Sequence, residues 1–368
     1  MGSVLILADS SSPEMRHEVP VFIPDAFLYA EANGRRVAVV SSFEVPRIEA
    51  ANAGIEPLPP EKLGLDELLA GGMSFELAEL EVYARACEKL GITDASVPAA
   101  FPLELADHLR ANGVEVTVER ELFESRRRSK TATEIAGLRR AQRACEAALD
   151  VARALLRNAA DTPVTCEQIK EEIVRVFNVH GVTGDEFIVS HGAQTAIGHE
   201  LGSGAIATGE AVVIDLFPRD RDTGVYSDMT RTYVVGEVPD ELREYHRLCR
   251  EALELSTAAV RPGANGRDLM QLVCDLFAAA GYPTPLTKEP GEVLDTGFIH
   301  GLGHGVGLEV HEAPRISRTG HDLVPGDVIT LEPGLYRAGF GGVRLEDILV
   351  VTDDGAEVVT RYPYDLEP

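Results

Sequence analysis

The helix-like stretch VTCEQIKEEIVRVFNVHGV returns 100 residues later as ANGRDLMQLVCDLFAAAGY. The alignment pairs Ile169 with Leu269, Ile173 with Val273, Phe177 with Phe277 and Gly181 with Gly281. Apolar residues four apart on both copies predict one amphipathic helix made twice. Self-similarity at a fixed offset predicts two structurally equivalent halves. The match continues past the helices. Gly209 leads through GEAVVI to Asp215, and Gly326 leads through GDVITL to Glu332, so a carboxylate follows each glycine by six residues. Gly224 then precedes Asp228 by four residues in GVYSD, and Gly342 precedes Glu346 by four in GVRLE. Each of these acids runs into a strand-like segment, TRTYVV or DILVV.

Duplicated halves facing each other about a pseudo-twofold axis would bring these four acids to the centre. A single strand aspartate usually faces water, and that reading stays open for each acid taken alone. Asp215 and Glu332, however, end the apolar runs VVID and ITLE, and buried carboxylates must be paired or bound to metal. Neither has a basic residue beside it in sequence. About four negative charges at close range raise one another's pKa unless cations neutralise them, and two divalent ions would balance the count. Oxygen ligands with one imidazole suit manganese, cobalt or iron better than a thiolate-selective zinc site. The segment HGLGHGVGLEVHE, residues 300 to 312, supplies three histidines and four glycines. His304 and His311 are seven apart, one placed to ligate and the other to reach a substrate. A phosphate cradle is disfavoured, because no lysine follows the glycines and the surroundings are acidic.

At 368 residues the chain exceeds the usual size of one core, which predicts two domains. Upstream of the repeat, SVLILA, FLYAEA and RRVAVV read as strands, SFELAELEVYARACEKLG and PLELADHLRANG as helices, and VEVTV as a closing strand. The run ESRRRSK breaks that pattern, and Thr131 to Glu134 forms a capping-box signature that opens a long helix through about Leu156. We therefore divide the chain into an α/β domain, 1–126, and a catalytic domain, 127–368. The net charge of −26 disfavours nucleic acid and anionic membranes as partners, and RRRSK is too short to reverse it. No window approaches the roughly 18 apolar residues of a membrane span, and no basic leader is seen. Five scattered cysteines without a CxxC pair fit a reducing compartment, so a cytoplasmic location is expected.

Five stretches, IVSHGAQTAIGHE, VVIDLFPRDRDTGVYSDMTRTYVVG, HGLGHGVGLEVHE, TLEPGLY and GVRLEDILVV, resemble the creatinase/aminopeptidase superfamily with the pita-bread fold, in its Xaa-Pro peptidase form (prolidase and aminopeptidase P). The resemblance implies an α/β N-terminal domain followed by an α+β pita-bread domain with an internal pseudo-twofold repeat. It implies Asp215, Asp228, His304, Glu332 and Glu346 as ligands of two divalent ions, with Asp228 and Glu346 bridging; manganese is the expected ion, with cobalt, iron or zinc as alternatives. His199 and His311 resemble substrate contacts, His311 at the scissile carbonyl, and Arg344 a substrate-binding or neighbouring cation. Glu332 is the expected proton shuttle. A small peptide cleaved before proline is the implied substrate, with water activated by the metal pair, and a homodimer the implied assembly. A metal-dependent lyase or C–N hydrolase acting on a small non-peptide zwitterion is the alternative. The sequence departs from the family pattern at Gly198, where proline usually precedes the histidine, and in a longer hairpin that adds Asp220 and Asp222. These two acids are expected to be solvated turn residues. His300 is expected to be structural or to sit behind the ligands, His191 to be satisfied by backbone, and Tyr226 and Tyr336 to pack.

Overall fold

The computed structural model describes residues 2–368, which cluster into two compact units, 2–127 and Arg128–Pro368. The first unit is built on a six-stranded sheet in the order Glu56–Pro57, Arg35–Val39, Phe27–Ala32, Ser3–Ala8, Asp94–Val97, Glu115–Val118. The segment SVLILA is apolar without alternation because both faces of its strand are covered. Leu5 enters a cluster with Leu28, Ala30 and Val37, while Val4 and Ile6 enter another with Tyr29 and Ala38. Helices Phe75–Leu90 and Leu103–Ala111 form as their apolar spacing requires, and the former is capped by Ser74, whose side chain accepts from the Leu77 N–H.

The run expected to break the pattern is instead a helix, Arg120–Arg128, which buries Phe123 and Arg127 among otherwise polar residues. Its cations, and Lys130 after it, are held by acids. Arg126 bridges Glu18 and Glu31 at 2.7 Å each, Arg127 lies 3.8 Å from Glu14, and Arg128 grips both oxygens of Asp327 at 2.8 and 2.6 Å. Lys130 pairs with Glu312.

The second unit opens with helix Ala132–Arg157, and the capping box forms in full: Thr131 accepts from the Glu134 N–H while Glu134 accepts from the Thr131 N–H. The repeat is equally plain. Helices Cys166–Val179 and Gly266–Ala279 keep the offset of 100, as do their N-caps, Thr165 and Asn265. Ile169, Ile173 and Phe177 of the first pack in one core, and Leu269, Val273 and Phe277 of the second in another. Each helix covers its own sheet. The first sheet runs Met229–Val234, Ala211–Leu216, Ile188–His191; the second runs Glu312–Ile316, Gly303–Gly305, Val328–Leu331, Asp347–Val351, Ala356–Val358.

Apolar and polar contacts both join the halves: Val225 of the first packs with Val306, Val328 and Ile348 of the second, and Ala211 and Val234 enter the second half's core. The Glu346 N–H donates to the Thr230 carbonyl at 3.1 Å, and Thr232 Oγ1 accepts from the Arg344 N–H at 3.0 Å. Arg231 is 1% exposed and donates to the carbonyls of Thr230, Glu346, Tyr362 and Pro363 and to Asp347 Oδ1. One guanidinium thus ties both halves to the C-terminal segment. The glycines of HGLGHG have a backbone reason, because a Cβ on Gly303 or Gly305 would strike the carbonyl of Thr330 or Ala313. Among the described residues no helix is long and apolar enough to cross a membrane.

Replacing Arg231 with methionine strands Asp347 as a buried carboxylate without its cation. The expected loss is about 3–5 kcal/mol, read as a lower calorimetric midpoint for the second unit; an unchanged midpoint would show that Arg231 does not join the halves.

Candidate metal centre

Asp215 lies near the end of strand Ala211–Leu216, directly opposite Thr230 on the antiparallel strand that Asp228 precedes. In the second half Glu332 follows strand Val328–Leu331, and Glu346 precedes its partner Asp347–Val351, with Leu331 opposite Asp347. Each half therefore delivers two acids at the same end of a strand pair. His304 enters on the short strand Gly303–Gly305.

The residues converge. One ligand atom each from Asp228, His304 and Glu346 lies within 4.8 Å of the others. His304 Nε2 is 3.7 Å from Asp228 Oδ2 and 3.7 Å from Glu332 Oε1. With Nδ1–H donating to the Gly305 carbonyl at 3.1 Å, the neutral ring turns the Nε2 lone pair toward those carboxylates, as a ligating histidine requires. Thr230 Oγ1 donates to Glu346 Oε2 at 2.7 Å. Arg344 is buried and donates to Asp215 Oδ2 at 2.6 Å and to the Tyr336 hydroxyl at 3.2 Å. Its guanidinium is turned onto Asp215 rather than onto Glu346.

Electrostatics makes the cluster costly as it stands. Burial, then the charges of Glu346, Asp215 and Glu332, push the Asp228 carboxyl well up. Burial, then Asp215 and Glu332, does the same to Glu346. Burial carries Glu332 up to about 8. The histidines move the other way: burial, then His311, brings His304 down to about 3, and burial, then Arg344, brings His300 down to about 4. One guanidinium faces four carboxylates. Asp215 Oδ1 is buried and without a hydrogen-bond partner. An orphaned carboxylate oxygen, an excess of acid and an imidazole lone pair aimed at that acid fit divalent cations.

The other expected contacts gather around this centre. The rings of His304 and His311 lie 4.3 Å apart edge to face. His199 is exposed and close enough for its charge to act on His300 and His311. His300 donates or accepts at the Tyr336 hydroxyl, 2.9 Å away, and its Nδ1 lies 3.8 Å from Glu332 Oε2. A cavity of about 480 Å³ lined by Met270, Pro285, Ile299, His300 and Ser317 brings open space of small-ligand size against this histidine. Tyr336 is more than packing, since it joins His300 to Arg344. His191 is fixed by the Ser203 carbonyl and also by Glu210, at 3.1 and 2.6 Å.

One expectation is overturned and one residue was overlooked. Asp220 is not solvated: it is 2% exposed, gripped by Arg140 at 3.0 and 2.7 Å and by the Thr223 N–H and hydroxyl. Its acid braces the hairpin and does not face the centre, whereas Asp222 is exposed as expected. The overlooked residue is Arg315, which pairs across the strands with His304 and is exposed on the same side. Its charge acts on both His304 and His311. Only the strand register, with a bulge between His304 and Gly305, brings these residues together.

Residues 136–353, more than half of the chain, match the model of metallopeptidase family M24. An Xaa-Pro dipeptidase of Pyrococcus horikoshii is 31% identical over 278 residues, which cover 74% of this chain and 73% of that protein. An uncharacterized peptidase of Bacillus subtilis (strain 168) is 37% identical over 183 residues; there the chain spans 48% of the relative's length. Among solved structures, an Xaa-Pro dipeptidase from Bacillus anthracis superposes with a TM-score of 0.81 at 27% identity, covering 99% of this chain and 94% of that one.

Carboxyls whose folded pKa is raised bind protons more tightly folded than unfolded, so folding stability falls as pH rises from the ordinary carboxylate range to the folded value. For Glu332 that window closes at about 8. Metal-free protein in chelator should therefore lose thermal midpoint steadily between about pH 5 and 8, and added divalent ions should remove most of the slope. A midpoint independent of pH in chelator would mean the acids are not held together.

Proposed function

Because this chain belongs to metallopeptidase family M24, we propose that it hydrolyses Xaa-Pro peptide bonds, with dipeptides as its main substrates. The observation that carries the reading is the convergence of Asp228, Glu332 and Glu346 on the imidazole of His304, with a buried Asp215 oxygen left unsatisfied beside them. Asp215, Asp228, His304, Glu332 and Glu346 would hold two divalent ions. Bound there, such ions polarise the scissile carbonyl and make water a nucleophile near neutral pH. Oxygen-rich coordination with one imidazole supports manganese.

The chain's own groups carry the remaining steps. Glu332 has one oxygen toward His304 and the other toward His300, which suits a carboxylate that takes a proton from the attacking water and returns it to the leaving nitrogen. That return matters for proline, whose amide nitrogen carries no hydrogen and leaves poorly until protonated. His311, exposed at the mouth, donates to the carbonyl oxygen as it gains negative charge. Arg344 fixes Asp215 and, through Tyr336, His300. His199 lines the approach. Arg315, exposed across the strands from His304, is a cation available to the carboxylate of a bound dipeptide, which favours substrates that end one residue after the cleaved bond. The five cysteines are buried free thiols, which supports a reducing, cytoplasmic setting, and the family resemblance supports a homodimer.

Chelation should abolish release of proline from Ala-Pro and Gly-Pro, and manganese or cobalt should restore it; activity indifferent to chelator, or no free proline with metal bound, rejects the reading. Glu332→Gln should lower turnover by about 10²–10⁴-fold. Arg315→Leu should raise KM for Ala-Pro about tenfold or more while leaving hydrolysis of the carboxamide Ala-Pro-NH2 unchanged; equal effects on both would remove Arg315 from carboxylate recognition.

A further inference from the structure

The basic run RRRSK ends in a lysine that the peptidase reading does not use. Lys130 forms an ion pair with Glu312, and both side chains are almost wholly buried, 5% and 2% exposed. Glu312 immediately follows His311 and opens strand Glu312–Ile316. Successive residues of an extended chain point to opposite sides, which matches the burial: His311 is exposed, its ring against that of His304, while Glu312 is buried against Lys130.

The loop between His304 and His311 is wrapped on this pair. Glu312 Oε2 accepts from the Glu309 N–H at 3.4 Å, and the Gly307 N–H donates to the Glu309 carbonyl at 3.0 Å. The Gly307 carbonyl in turn accepts from the Tyr226 N–H at 2.7 Å, two residues before Asp228. Gly307 is glycine because the pair passes directly beneath it: a Cβ there would lie 2.6 Å from Glu312 Oε1 and 2.8 Å from Lys130 Nζ. The segment carrying Lys130 is itself pinned, since Arg128 grips both oxygens of Asp327, which is fully buried.

We propose that Lys130 is a positioning residue for His311, acting through Glu312 to hold the 307–312 loop in the one arrangement that keeps the His311 imidazole against His304 and over the substrate carbonyl. The proposal rests on the peptidase reading for its effect on turnover, but not for its effect on the loop. A buried carboxylate that loses the ammonium paired with it is strongly destabilised where it stands, and on this strand any shift of Glu312 carries His311 with it. The geometric demand on a group that stabilises a developing charge is tight, so a shift of about 1 Å is enough to matter.

The test uses the full chain loaded with manganese, comparing wild type, Lys130→Arg, Lys130→Met and the double variant Lys130→Met/Glu312→Leu, which removes both charges of the pair together and so guards against misfolding. Hydrogen exchange of the peptide spanning 306–312, the rate of diethyl pyrocarbonate modification at His311, manganese content and the kcat and KM for Ala-Pro are measured. The expected result for both methionine variants is exchange at Gly307 and Glu309 faster by about tenfold or more, and altered His311 modification. With it, kcat falls about tenfold or more with KM and manganese content within about threefold, while Lys130→Arg recovers much of both kcat and protection. Unchanged exchange and modification in the double variant overturn the proposal, as does a kcat within about twofold of wild type. If wild type itself releases no proline, the peptidase reading fails alone, and exchange together with His311 modification still decides whether Lys130 holds the loop.

Discussion

The second unit is organised around a repulsion. Two strand pairs related by duplication aim Asp215, Asp228, Glu332 and Glu346 at one buried place, and a single guanidinium, that of Arg344, stands among them. Burial and mutual charge both work against ionisation there, which is why Asp228, Glu332 and Glu346 all rise in pKa while Arg344 is held firmly charged. A core of leucine and valine would be more stable. The sequence keeps the acids, and the surrounding structure must hold them together against their preference to separate.

That holding is done by groups spread far along the chain. Thr230 and Thr232 on one half accept from or donate to Glu346 and Arg344 on the other, and Arg231 between them reaches the carbonyls of Tyr362 and Pro363. The alternation of a strand explains the arrangement: Thr230 and Thr232 share one side and meet the centre, while Arg231 points away and is satisfied by backbone and Asp347. The same two-residue period recurs at His311 and Glu312, where the exposed member meets substrate in our reading and the buried member meets Lys130. On our proposal, the residue that meets the centre is in both places fixed by the neighbour that faces away from it.

How much of this could be read in the sequence depended on whether the signal was periodic. The paired helices were legible because Ile169, Ile173 and Phe177 repeat the spacing of Leu269, Val273 and Phe277, and burial follows that spacing. Four of the five clustered groups were legible because each follows a glycine at a matched distance in both halves, and the family resemblance added the imidazole. Partner choice was not legible. Nothing near Asp220 in sequence announces Arg140, eighty residues upstream on the long helix, and a polar turn composition argued for solvent instead. Nothing near Asp215 announces Arg344, and nothing near His304 announces Arg315, because a one-residue change of register would separate them. Helix Arg120–Arg128 was hidden for a related reason. Its cations are satisfied by acids distant in sequence, so its composition looks like a linker while its bonding is that of a packed element.

The raised acids also bear on why a duplicated scaffold suits cations at all. Free energy stored as repulsion in the metal-free protein is released when ions bind, so the less stable the empty arrangement, the larger the share of binding that goes into folding rather than into affinity alone. A rigid frame raises both quantities together: it prevents the acids from relaxing apart, keeps His304 Nε2 turned toward Asp228 and Glu332, and leaves Asp215 Oδ1 buried without a hydrogen-bond partner. A softer frame would let Asp215 find a donor and Glu332 turn outward, giving a more stable protein and a weaker site. The glycines at 303, 305 and 307 belong to this argument, since each lets backbone or a buried pair come closer than a side chain would allow. The density of glycine in HGLGHGVGLEVHE is therefore a packing requirement of a stiff cage and not the mark of a flexible loop.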